Sequence, residues 1–151
     1  MPMLTKKCQY GLKALIFLAG LPLGRSAIVE EIAKTQNMPQ RFLSQILSQL
    51  QIAGFITLKR GRGGGYSLAR KSSDITASDI IRAIDGPLTV LPCESKTHYH
   101  ECDDCIDKAR CLLRLSFLRA QKTVSDVFDN LTLEKMRTMA DLGDEQPVCQ
   151  S

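Results

Sequence analysis

Residues 39–68 read PQRFLSQILSQLQIAGFITLKRGRGGGYSL. The first half is patterned as a helix from about Pro39 to Ile52. Phe42, Leu43, Ile46, Leu47 and Leu50 recur at helical spacing and form one apolar stripe. Gln40, Arg41, Ser44, Gln45, Ser48 and Gln49 fall on the opposite face. Pro39 suits the first turn, where a missing N–H costs nothing. Gly54 is placed to end the helix. The period then changes. Phe55, Thr57 and Lys59 alternate with Ile56, Leu58 and Arg60, as in a strand. Gly61-Arg62-Gly63-Gly64-Gly65 makes a basic tip, and Tyr66-Ser67-Leu68 returns as the second strand of a hairpin. A polar-faced helix followed by such a hairpin is the reading half of a winged helix–turn–helix.

The flanks agree. Upstream, about Thr5 to Leu18 reads as a helix carrying Leu12, Ala14, Leu15, Phe17 and Leu18, broken by Gly20, Pro22 and Gly24. Ser26 is placed to cap a short helix near Ile28–Thr35. Glu30 and Glu31 stand at its positive end. Gln36-Asn37-Met38 is the turn between the two helices of the motif. Downstream, Thr76-Ala77-Ser78-Asp79 resembles a capping box with Asp replacing the usual Glu. The helix it opens runs through Ile80, Ile81 and Ile84 and stops at Gly86-Pro87. A polar loop from about Thr89 to Asp107 follows, too long to be mere connection. A long helix from about Lys108 to Asn130 carries Leu113, Phe117, Ala120, Val124, Val127 and Leu131, a heptad seam. Thr132 is placed to cap a short last helix, and the tail after Leu142 reads as frayed.

The fold expected is mostly α with one small β-hairpin. Residues 1–86 form a winged helix–turn–helix domain and 87–108 a cysteine-rich loop. Residues 109–142 form a dimerisation helix and a C-terminal helix, and 143–151 a flexible tail.

Charge is unevenly shared. Residues 1–86 hold 12 Lys/Arg against 5 Asp/Glu, a net of +7; residues 87–151 hold 8 against 11, a net of −3. A basic first half suits a phosphate backbone. Gln pairs with adenine and Arg with guanine in the major groove, so Gln40, Arg41, Ser44 and Gln45 are the expected base readers. Lys59, Arg60 and Arg62 are the expected wing contacts to double-stranded DNA. The glycine run does not read as a nucleotide loop. That loop needs a helix after the glycines and often Gly-Lys-Ser/Thr, whereas Tyr66-Ser67-Leu68 reads as strand. No apolar run approaches the roughly 20 residues of a membrane span. Thr5–Gly20 reads as an amphipathic helix rather than a secretory signal. A cytoplasmic protein is expected, without membrane or small-molecule substrate. No constellation of nucleophile, general base and pocket marks an enzyme.

The loop concentrates chemistry. Cys93, Cys102, Cys105 and Cys111 are spaced C-x(8)-C-x(2)-C-x(5)-C, with His98 and His100 among them. Six cysteines in a cytosolic chain favour metal or redox chemistry over structural disulfides. Four thiolates suit zinc or an iron–sulfur cluster, and a thiol redox pair is a third option.

These residues together resemble the bacterial iron–sulfur cluster regulators typified by IscR and NsrR, over about Leu4 to Leu142. The marks are Leu4-Thr5-x-Lys7-x(2)-Tyr10-Gly11-Leu12, Phe42-Leu43-x(2)-Ile46-Leu47, Arg60-Gly61-x-Gly63-Gly64-Gly65-Tyr66-x-Leu68 and Cys105-x(5)-Cys111-Leu112-x-Arg114. The resemblance implies a winged-helix homodimer paired through the long helix. It implies a [2Fe–2S] or [4Fe–4S] cluster on three loop cysteines of each protomer, whose state alters operator binding. By its x(5) spacing to Cys111, Cys105 matches the second of the three and Cys102 is additional, while the eleven residues between Cys93 and Cys105 exceed the five to seven of many relatives. The IscR branch carries a histidine three residues past its last cysteine, where this chain has Arg114. NsrR-like branches take a carboxylate from the first helix, where Gln9 stands beside Cys8. The fourth ligand is open between Cys102, Cys8 and a loop histidine.

Overall fold

A computed structural model describes residues 4–95 and 99–139. The expected tail, 143–151, together with Cys149 and His98, lies outside these residues. Helix α1 spans Lys6–Ala19, with the Thr5 hydroxyl accepting from Cys8 N at 3.1 Å. Helix α2 spans Val29–Thr35, and its N-cap is Ile28 rather than the expected Ser26. The reason is tertiary. Ala27 exchanges both backbone hydrogen bonds with Tyr66, at 2.9 and 2.7 Å, so the chain stays extended past Ser26. Asn37 makes the turn in a left-handed conformation, φ 51°. Helix α3 spans Gln40–Ile52, entered through Pro39. Tyr10 of α1 meets Phe42 of α3 edge-on, ring centroids 5.7 Å apart.

Strands β1 (Ile56–Lys59) and β2 (Gly65–Leu68) are antiparallel, with Ile56 opposite Leu68 and Lys59 opposite Gly65. The Ala27–Tyr66 bridge ties this wing to the start of α2. Two glycines are obligatory here. A Cβ on Gly64 would stand 2.3 Å from the Lys59 carbonyl oxygen, and one on Gly65 (φ 143°) 2.6 Å from that of Ala27. Phe55 precedes β1 and is buried, with the Arg70 guanidinium 4.8 Å over its ring.

Helix α4 spans Ala77–Ile84 and opens on the full capping box: Thr76 N donates to Asp79 and Asp79 N to Thr76, both at 3.2 Å. Helix α5 spans Leu112–Asn130, four residues shorter at its start than the periodicity predicts. The Asp107 carboxylate accepts from Ala109 N at 2.9 Å and its carbonyl from Arg110 N at 3.2 Å, a local turn that competes with helix. Cys111, in extended backbone, becomes the N-cap. Helix α6 spans Leu133–Thr138, capped by Thr132 as expected.

The main core packs Leu15, Ile32, Leu43, Ile46, Leu47, Leu50, Ile56, Ile75 and Ile80 together with Leu133 from α6. The chain reaches that position through an antiparallel strap. Ala77 N donates to Leu131 O at 2.7 Å and Leu133 N to Ile75 O at 3.0 Å. A smaller cluster of Cys8, Ala77 and Ile81 receives Phe128 and Leu131. Thus Leu131, expected on the heptad seam, packs inside its own protomer.

Helix α5 has no fully buried residue. Arg114, Leu118, Gln121, Ser125 and Phe128 are half-buried at spacings of 4, 3, 4 and 3, a stripe turned toward the rest of the chain. The expected seam lies about 100° around the helix. Leu113, Phe117 and Val127 are 57, 40 and 58% exposed, and Val124 is half-buried. No helix of the described residues is long and apolar enough to cross a membrane.

Since Leu133 is fully buried, Leu133→Ala is expected to cost about 2–5 kcal/mol. Urea unfolding checks this as a lowered midpoint at unchanged slope.

Candidate nucleic-acid interface and cysteine loop

Helix α3 buries Leu43, Ile46, Leu47 and Leu50 and so presents its other face outward. Arg41, Gln45 and Ser48 are exposed on it. Gln40 is exposed too, and its amide nitrogen donates to Glu30 of α2 at 2.9 Å. Ser44 and Ser48 donate to the carbonyls of Gln40 and Ser44, each at 3.0 Å, and keep acceptor capacity. Gln49 does not share the outer face. Its amide donates to Ala83 O at 2.9 Å and bolts α3 to α4. Lys59, Arg60 and Arg62 are all exposed on the wing. Polar side chains on a protruding helix beside a cationic hairpin suit a groove and its phosphates.

The cysteine loop is built from short closures. Pro92–Glu94 is a 3-10 turn, and Pro92 O accepts from His100 N at 3.2 Å, so the chain doubles back beside Cys93. Cys102 O accepts from Cys105 N at 3.1 Å, a turn that sets these two cysteines together. The Cys111 sulfur accepts from Arg114 N at 3.5 Å at the start of α5. Cys93, Cys105 and Cys111 are half-buried; Cys102 and His100 are exposed. The thiols act on one another. Desolvation, then the charge of Cys93 and a hydrogen bond to it, raise the Cys102 pKa, with Asp104 and Cys105 adding. Desolvation, then Cys111, Glu101, Cys93 and Asp104, raise that of Cys105. All four predicted cysteines therefore share one neighbourhood. Among the described residues no three His, Cys, Asp or Glu side chains yet converge as a finished ligand set. The donor chemistry, clustered soft sulfur, fits an iron–sulfur or zinc centre.

One feature of this region carried no signal in the motif spacing. Glu94, next to Cys93, forms an ion pair with Arg114 of α5, and only 7% of the Glu94 side chain is exposed. Cys8 is another matter. It is wholly buried, and burial first, then the charge of Asp85 and a hydrogen bond to it, push its pKa up to about 12. Asp85 also accepts from Thr5 N at 3.0 Å and from the Thr5 hydroxyl. Cys8 is a core thiol packed against Ala77 and Ile81 of α4, away from the loop, where Cys102 and His100 are the exposed candidates.

A family model of the Rrf2 type, described as iron-dependent transcriptional regulators, matches residues 4–138. The chain belongs to the Rrf2 family. It is 42% identical over 137 residues to an rrf2-like HTH-type transcriptional regulator of Rhodobacter capsulatus, covering 89% of this chain and 91% of that one. Among solved structures, CymR, the global cysteine regulator of B. subtilis, is similar at 31% identity and TM-score 0.77, covering 92% of this chain and 98% of that chain. T. potens IscR is similar at 25% identity and TM-score 0.70, covering 95 and 92%. This Rrf2 chain is thus a DNA-binding transcriptional regulator of winged-helix fold, as the wing and helix pattern indicated.

The Cys8 environment has a pH consequence. Its folded-state pKa lies above the unfolded one, so the stabilisation from the neutral buried thiol is complete below about 8.5. It is lost as pH rises toward about 12. Cys8→Ala is expected to flatten the alkaline fall of stability, followed by denaturant titration between these limits. In the native protein at neutral pH, iodoacetamide should modify Cys102 long before Cys8.

Proposed function

We propose that this Rrf2 regulator is a cytoplasmic homodimer whose operator binding is controlled by an iron–sulfur cluster, [2Fe–2S] or [4Fe–4S], one per protomer. Cys93, Cys105 and Cys111 would hold it, with Cys102 as the fourth ligand. The carrying observation is that these four thiols lie within one another's electrostatic reach, with Cys111 at the start of α5. The signal fits iron, cluster supply, nitric oxide or redox state. When bound, the cluster supplies a redox- and iron-sensitive cross-link of the loop.

The residues of the chain do the rest. Arg41, Ser44 and Gln45 face base edges, with Gln40 beside them. Lys59, Arg60 and Arg62 hold phosphates or the minor groove. Leu113, Phe117, Ala120, Val124 and Val127 pair with a second copy. Burial of such a stripe is worth roughly 1.5–3 kcal/mol per large side chain. A shift at the start of α5 has a short path to the reading helix. Asp129 of α5 pairs with Arg82 of α4 at 3.4 Å, Leu131 O holds Ala77 N, and Ala83 O holds Gln49 of α3.

A second reading is a zinc- or thiol-based regulator without a cluster. It is favoured by the nearness of Cys93 to Cys102, which adds to desolvation in raising the Cys102 pKa, and by the likeness to a cysteine regulator. Iron and sulfide analysis of anaerobically purified protein separates the two readings.

Anaerobic reconstitution of single Ser variants tests the ligand set. Cys93→Ser, Cys105→Ser and Cys111→Ser are expected to lose iron and sulfide, and full loading of Cys111→Ser would overturn the assignment. For DNA, Arg41→Ala is expected to cost about 1–3 kcal/mol and relax base preference. Arg60→Ala should weaken all sequences alike and reduce the salt slope by about 1. Equal affinity of the parent protein for random and genomic fragments at physiological salt would sink the specific reading.

A further inference from the structure

The segment around Cys93 is fastened to α5 at two points. Val90 N donates to the Gln121 side chain at 3.2 Å, and the Glu94 carboxylate pairs with the Arg114 guanidinium. Residues 114 and 121 lie two helical turns apart on the half-buried stripe of α5. Val90 and Glu94 are therefore laid along one helix face, with Cys93 between them. Arg114 has further bonds at the same spot. Its guanidinium donates to Lys108 O at 3.4 Å, and its backbone N–H donates to the Cys111 sulfur at 3.5 Å. One residue thus touches the arm that carries Cys93, the arm that leads to Cys111, and Cys111 itself.

We propose that Glu94 and Arg114, aided by the Val90–Gln121 bond, are a clamp that holds Cys93 beside Cys111 before any metal arrives. They are positioning residues for the thiol site. The metal side of this inference rests on the reading given under Proposed function; the clamp itself does not. The pair suits the task physically. The Glu94 side chain is 7% and that of Arg114 24% exposed, so water screens their attraction little. Removing either partner leaves the other charge poorly solvated and favours release of the loop into water. Pre-gathering the first and last cysteines spares a metal the entropy of closing the loop between them.

Two measurements on the metal-free full-length protein test this. Hydrogen exchange followed by mass spectrometry reads the clamp alone. Arg114→Met and Glu94→Gln are expected to speed exchange of peptides within residues 88–95 and 99–111 about tenfold or more, leaving those of α3 and the wing unchanged. Arg114→Lys, which keeps the charge, should recover part of the protection. Unchanged exchange in the loop, or acceleration spread equally over α3 and the wing, would overturn the clamp. Cadmium titration, read by thiolate-to-metal absorbance, tests the positioning role. The parent protein should bind one ion, and Arg114→Met should bind it at least tenfold more weakly. Equal cadmium affinity in parent and variant would overturn the positioning role. A parent that takes up neither cadmium nor iron would count against the metal reading and this role together, while the exchange measurement would still decide the clamp.

Discussion

The strap between residues 75–77 and 131–133 is the contact on which the arrangement of this protein turns. Two backbone hydrogen bonds, Ala77 N to Leu131 O and Leu133 N to Ile75 O, draw the end of α5 against the entry of α4. Leu133 then drops into the same core as Leu15, Ile46 and Leu50. The strap adds to the Arg82–Asp129 pair and to the packing of Phe128 in fixing the far end of α5 against α4. With it, both ends of α5 are held: the far end by buried apolar contact, the near end by Arg114 and Cys111.

Helix α5 presents two different faces. The stripe of Arg114, Leu118, Gln121, Ser125 and Phe128 leans on its own protomer and mixes polar tethers with one aromatic anchor. The stripe of Leu113, Phe117 and Val127 stays exposed, although its residues are the more apolar. Large apolar side chains in a row on a surface mark an interaction face. The exposed apolar stripe and the stripe that tethers the cysteine loop share one helix without sharing side chains.

Cys8 shows how environment separates residues of one type. It lies in α1 and is sealed under α4, with Asp85 nearby, so its thiol stays protonated. The loop cysteines lie in short turns at the surface, in one another's field. The same element, sulfur, is core filler in one place and candidate ligand in the other.

Much of this could be read along the chain because it depends on neighbours close in sequence. The stripe of α3, the Thr76–Asp79 box, the Thr132 cap and the Gly64–Gly65 turn are local devices, with periods and spacings of a few residues. The wing and the cysteine spacing are of the same kind. Other features depend on partners far along the chain, which no local pattern encodes. Ala27 is drawn into pairing with Tyr66, so Ser26 caps nothing. Leu131 fits a heptad by spacing, yet it leaves α5 and packs against Cys8 and Ala77. Gln49 has the composition of an outward residue, but the carbonyl of Ala83 is within reach and claims it. The Glu94–Arg114 pair joins residues 20 positions apart across a loop. Spacing can say that two groups lie on one face of an element; which long-range partner comes to meet that face is settled by the packing of the whole chain.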